Sequence, residues 1–97
     1  MEGKVIDVER KEWYTGAQSI QNSSSEHNIR HTNTFAKLDN GDNVIINEGD
    51  ILNTFNRTRF SDKLIKELKD KLLGENINYS EVDGDYQLDG SVSQYLN

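Results

Sequence analysis

Phe35, Ala36 and Leu38 on one side and Val44, Ile45 and Ile46 on the other meet across Asn40-Gly41, and no other feature of this 97-residue chain restricts its fold as strongly. Asn-Gly between two apolar runs signals a tight hairpin, because both central residues of a type I′ turn need positive φ. A two-residue turn sets Asp39 opposite Asp42, Leu38 opposite Asn43, Ala36 opposite Ile45 and Phe35 opposite Ile46. One face then carries Phe35, Val44 and Ile46, and the other carries Ala36, Leu38 and Ile45. Apolar groups on both faces predict a central hairpin over 34–47 that is covered on both sides.

Leu, Ile, Val and Phe supply 24 of the 97 residues, about a quarter, above the roughly one-fifth below which chains tend to stay disordered. The expectation is one domain over 1–97 with a thin core, to which a second copy or a partner would add buried surface. The lack of cysteine excludes disulfides and thiolate metal sites. No run approaches the ~18 apolar residues of a membrane helix. Met1 to Lys4 also lacks the basic start and apolar run of a signal peptide. Together these predict a cytoplasmic protein of a bacterial host cell with no membrane partner.

Around the hairpin, Lys4 to Tyr14 reads as a strand, rich in Val5, Ile6, Val8, Trp13 and Tyr14. Ile6, Val8 and Tyr14 share one parity that Arg10 and Glu12 interrupt, so the second half is expected at an edge or facing solvent. Residues 15–28, centred on Ser23-Ser24-Ser25, read as a long flexible loop. Ile51, Leu52 and Phe55 are spaced for one helical turn. Ser61 to Leu73 is the clearest helix. Ser61 is placed as N-cap, Asp62 sits in the first turn, Leu64, Ile65, Leu68 and Leu72 form a stripe, and Gly74 stops it. Asp62/Lys66 and Glu67/Lys71 are spaced to pair along it.

Ile77 to Leu88 repeats the hairpin signal at Asp83-Gly84. Val82 then faces Asp85, Glu81 faces Tyr86 and Tyr79 faces Leu88, which puts Ile77, Tyr79, Tyr86 and Leu88 on one face. The other face is polar, as for a sheet with one wet side. Gly90 to Asn97 is a tail, free either to dock through Val92, Tyr95 and Leu96 or to fray over 91–97. The fold class is therefore α+β. It is either a small antiparallel sheet or an OB-like, partly open barrel of about five strands, with one amphipathic helix (61–73) packed on it. The order strand, loop, strand, strand, helix, strand, strand matches an OB-type barrel, an analogy of fold that carries no function by itself.

The chain shows few residue patterns that carry chemistry. His27 and His31 are four apart on a loop entering a strand, so ~13 Å separates them, and Glu26 adds no ligand spacing; they read as structural. Glu81, Asp83, Asp85 and Asp89 lack the EF-hand glycine and final glutamate, since Tyr86 and Val92 stand at those places. No phosphate-cradling glycine loop, nucleophile elbow or cysteine nucleophile is present. Neither an enzyme nor a cofactor is expected.

Three classes of function remain. The net charge is −6, and residues 75–97 hold five carboxylates and no Lys or Arg. An acidic surface of Glu81, Asp83, Asp85 and Asp89 suits a basic protein groove better than a phosphate backbone. The first class is thus a non-enzymatic inhibitor or immunity protein that blocks a basic nucleic-acid-handling protein. Eleven asparagines and no proline point to an AT-rich genome, as of a phage or mobile element. The second is an OB-like module for single-stranded nucleic acid or a nucleotide, with Arg57, Arg59 and Phe55 as phosphate and base contacts, joined by Phe60 and, if the fold gathers them, Arg30, Trp13 and Tyr14. The third is a phage structural or assembly accessory that forms a homo-oligomer.

Overall fold

A single long strand, β1 (Glu2–Thr15), begins the chain and serves two different neighbours. Residues 2–4 pair with β4 (Asn76–Val82), and residues 5–15 pair with β2 (Ile29–Leu38), both antiparallel. A computed structural model describes residues 1–15 and 29–96. The loop expected at 15–28, with Glu26 and His27, lies from residue 16 onward outside the described residues. The remaining elements are β3 (Asn43–Ile46), α1 (Glu48–Phe55), α2 (Asp62–Leu72) and β5 (Asp85–Leu88), followed by a 3-10 turn at Val92–Gln94.

The strands close into a barrel in the order β1-β2-β3-β5-β4. β3 runs parallel to β5, with Ile45 opposite Gln87, and every other pair is antiparallel. This is the α+β architecture with an OB-type strand order. Relative to the sequence expectation, the barrel is closed, one ladder is parallel, and α1 is a helix of eight residues in its own right. No helix among the described residues is long and apolar enough to cross a membrane.

Closure depends on a bulge. Val5 pairs with Leu38 but Asp7 pairs with Lys37, so Ile6 is an extra residue on β1. The bulge shifts parity, and Val5 and Val8 both point inward while Ile6 is 56% exposed. The alternation that groups Ile6 with Val8 is therefore broken at the bulge.

The first hairpin also differs from the expected register. Gly41 N donates to Leu38 O at 3.0 Å and Leu38 N donates to Asp42 O at 2.9 Å, which makes a three-residue loop of Asp39, Asn40 and Gly41. Of these only Gly41 has positive φ, at 92°, as in a type I turn closed by a glycine bulge. Ala36 faces Val44 and Phe35 faces Ile45, one residue away from the two-residue register. The slip gathers Thr34, Ala36, Leu38, Val44 and Ile46 on a single buried face. It leaves Phe35 and Ile45 half-buried on the other, so the hairpin is not covered on both sides. Burial of a whole apolar face outweighs the local turn preference. Asn40 secures the longer loop by accepting from Asp42 N at 2.9 Å and donating to Tyr79 Oη at 3.0 Å. Tyr79, itself buried, donates to Asp42 at 2.5 Å and ties β4 to the turn.

The second hairpin has the expected register, Val82 with Asp85 through Tyr79 with Leu88. Asp83 at φ 53° and Gly84 at φ 88° form its two-residue turn. Ile77 and Tyr79 point into the core, with Tyr86 and Leu88 packed against it.

Ser61 caps α2 by accepting from Leu64 N at 3.2 Å, and Leu64, Leu68 and Leu72 are buried. α2 lies chiefly along β1, where Lys69 meets Asp7 at 2.9 Å. Glu67 is engaged by Arg57 at 2.9 Å rather than by Lys71 along the helix. Asn47 caps α1 by accepting from Asp50 N at 2.9 Å.

The tail docks as far as Leu96. Val92 is fully buried, and the Asp50 carboxylate accepts from Ser91 Oγ and Val92 N, both at 2.7 Å. Hydrogen bonds to charged groups contribute about 1.5–3 kcal/mol each. Asp50→Ala is expected to cost roughly 2–4 kcal/mol in urea unfolding, against a few tenths for Ser93→Ala, which touches only Ser91 through its side chain. Equal midpoints for the two variants would mean that the tail adds nothing to stability.

Candidate functional site

Before residue 34, β2 lacks β3 as a neighbour, because β3 ends at Ile46 opposite Thr34. Among the described residues, the far halves of β1 and β2 therefore pair only with each other, as a two-stranded ribbon. Alternation gives this ribbon two faces of different chemistry.

The inner face continues the barrel interior and is polar. Arg10 lies opposite Thr34, Glu12 opposite Thr32 and Tyr14 opposite Arg30. Its centre is Glu48, the first residue of α1. The Glu48 carboxylate accepts from Arg10 Nε at 3.0 Å, Thr32 Oγ1 at 3.0 Å and Thr34 Oγ1 at 2.9 Å. Thr34 is fully buried, so this bond satisfies its hydroxyl. The Arg10 guanidinium carbon also sits 4.5 Å above the Phe60 ring centroid. Farther out, Glu12 takes Tyr14 Oη at 2.6 Å and Arg30 Nη2 at 2.9 Å. The Glu48 bonds fasten the ribbon to α1, and the Arg10–Phe60 contact ties it to the α1–α2 connection.

The outer face combines aromatic, aliphatic and charged groups. Trp13 and His31 are opposite one another and their rings stack, with centroids 5.3 Å apart and planes 17° from parallel. Lys11 lies opposite Asn33 and Glu9 opposite Phe35. Phe35 in turn faces Ile45, and Ile45 faces Gln87, which makes one row across four strands. Trp13 keeps 40% of its surface exposed. From His31 to Phe35 along β2 is about 13 Å. The face is thus an aromatic patch at each end with Lys11 and Asn33 between.

The residues predicted from sequence fall in two other places. Arg57 donates to Phe55 O at 2.9 Å and to both Glu67 oxygens at 3.2 and 2.9 Å, so its fork is committed within the protein. With Phe55, Glu67, Asp70 and Lys71 it lines a shallow groove of about 500 Å³. Arg59 is exposed, while Phe55 and Phe60 pack against the core. Arg30 and Tyr14 meet at Glu12, and Trp13 lies on the opposite side of the ribbon, so the fold does not gather these three into one cluster. Glu81, Asp83 and Asp85 are gathered, exposed, around the second turn. Asp89 has an internal role, accepting from Ser80 Oγ at 2.8 Å. Among the described residues no three His, Asp or Glu side chains form a group able to hold a metal ion.

Sequence reasoning overlooked Glu48 and the outer face. The available signal was the two-residue spacing of Glu9, Lys11 and Trp13 along β1 and of His31, Asn33, Phe35 and Lys37 along β2, which marks a face on each strand but not how the two strands meet. Comparison with known protein families, with curated proteins and with solved structures gives no match.

Burial opposes the charge on Glu48, but bonds from Arg10, Thr34 and Thr32 together outweigh it and hold the carboxyl below its ordinary value of 4.5. A carboxyl depressed in the folded state adds stability above its unfolded value and loses it as the pH falls through its folded value. Glu48→Gln is expected to cost about 1–3 kcal/mol near neutrality. The gap to the wild type should close as the pH drops below 4.5, followed by urea midpoints at each pH. A gap independent of pH would remove the charge from the account.

Proposed function

We propose that this chain is a non-enzymatic binding module that takes single-stranded nucleic acid on the outer face of β1, β2 and β3. The observation that carries the proposal is the exposed Trp13–His31 stack on the same face as the Phe35–Ile45 pair. Flat apolar rings at a sheet surface suit unpaired bases, whose stacking contributes about 1–3 kcal/mol per base and tolerates any sequence. Asn33 and Gln87 on the same face are able to hydrogen-bond base edges. An OB-type strand order supports the reading as an analogy of fold only. The net charge of −6 argues for affinity drawn from stacking more than from long-range attraction.

Trp13→Ala and Phe35→Ala are each expected to weaken binding of a labelled oligothymidylate by about 1–3 kcal/mol in fluorescence anisotropy. Arg57→Ala and Arg59→Ala, outside this face, should change it little. If the arginine variants lose binding and the aromatic ones keep it, the site lies at the α1–α2 connection instead.

A second reading rests on Glu81, Asp83 and Asp85, which surround an exposed turn and hold no ion pair among the described residues. Such a turn suits the groove of a basic nucleic-acid-handling protein, which this chain would block. In that case Asp83→Lys with Asp85→Lys should abolish capture of a basic partner from source-cell extract while leaving circular dichroism unchanged. Undiminished capture would discard this reading.

A further inference from the structure

On the outer face, the ammonium groups of Lys11 and Lys37 both lie 3.2 Å from one oxygen, Oε1 of Glu9. They reach it from two strands. Lys11 is two residues along β1, and Lys37 crosses from β2, two residues past Phe35, which is the partner of Glu9. The oxygen is covered from solvent, yet neither ammonium reaches it with hydrogen-bond geometry. Glu9 is thus held by Coulomb attraction to two cations, without a fitted set of donors.

Two ammonium groups from adjacent strands, beside Phe35 and on the same face as the Trp13–His31 stack, are what a phosphodiester between stacked bases requires. We propose that Lys11 and Lys37 are the phosphate site of this face, and that Glu9 is an internal competitor that occupies it in the free protein. This rests on the nucleic-acid reading given above. An arriving strand exchanges its phosphate for the Glu9 carboxylate, which swings into solvent while the two lysines keep a negative partner. The exchange replaces one anion by another, so a phosphate alone gains little. A ligand gains when it also lays bases on Trp13 and Phe35. Glu9 thereby selects strands with unstacked bases over duplex, free phosphate and other polyanions. It also lets a chain of net charge −6 hold a nucleic acid without a broad basic surface.

The test is titration of the wild type and Glu9→Gln with an oligothymidylate of about 12 nucleotides, within the range one OB fold covers. Trp13, the single tryptophan, reports binding by fluorescence, read over a series of salt concentrations. Glu9→Gln is expected to bind about tenfold tighter. Its slope of log K against log salt should steepen by roughly 0.7–1.4, as for one or two additional phosphate contacts on a single strand. Lys11→Ala or Lys37→Ala placed on Glu9→Gln should return both quantities toward the wild type. Binding by Glu9→Gln where the wild type shows none also supports the proposal. A wild type that binds, with Glu9→Gln equal or weaker, overturns the competitor and leaves the aromatic face standing. No binding by either protein at low salt overturns both. Glu9→Ala, followed with melting temperature, serves as the second variant, since a merely structural Glu9 would lower the melting point without changing the salt slope.

Discussion

The extra residue at Ile6 is the constraint on which the architecture depends. A strand paired along its whole length with one neighbour leaves a sheet with two open edges. β1 avoids this by giving residues 2–4 to β4 and residues 5–15 to β2, and the bulge between them supplies the bend. The same bend places Val5 and Val8 on the inside together, although they are an odd number of residues apart. Val5 is doubly held, since its N–H donates to Glu75 O at 3.0 Å and its C=O accepts from Gly74 N at 2.9 Å. The end of α2 is thereby bound to the bend, and β4 starts where β1 can receive it. Ile6 is left outside as the accompanying cost.

Downstream of the bend, one strand pair performs two tasks because alternation separates them. Arg10, Thr32 and Thr34 are committed to Glu48, which fixes the ribbon against α1. Glu48 sits in the first helical turn, where the macrodipole favours an anion, so the helix and the ribbon each stabilise the same charge. With the inner face holding the ribbon in place, the outer face does not need its side chains for packing. Trp13 and Phe35 therefore retain exposed area on the outer face of the ribbon.

The legibility of the chain follows the same division between local and tertiary control. The Asp83-Gly84 hairpin was readable to the residue pair, because its turn chemistry and its apolar alternation demand one register. Asn40-Gly41 was readable as a hairpin but not in register. There a two-residue turn satisfies the local signal, whereas gathering Ala36, Leu38, Val44 and Ile46 on one face demands a three-residue loop. Ser61 and the leucine stripe gave α2 outright, since cap and period lie within a dozen residues. The candidate face was not legible for a different reason. Its members come from separate strands whose mutual register is set only in the folded barrel, so no spacing along the chain records that Glu9 meets Lys37 or that Trp13 meets His31.

Charge is distributed unevenly over the surface. The five carboxylates of residues 75–97 set the acidic character of the chain. Three of them lie at the exposed second turn, and Asp89 serves the fold by accepting from Ser80. The outer face of β1 and β2 has its own balance, with Lys11 and Lys37 against Glu9, and Asp7, opposite Lys37, met by Lys69 from α2. Exposed charges separated by more than the ~8–10 Å Debye length are largely screened at physiological salt. A ligand on the outer face, as proposed, would respond mainly to that local balance and to the rings beside it, and only weakly to the net charge of the molecule. A chain with an acidic total can accordingly present a face suited to an anionic strand, provided that short-range stacking supplies most of the affinity.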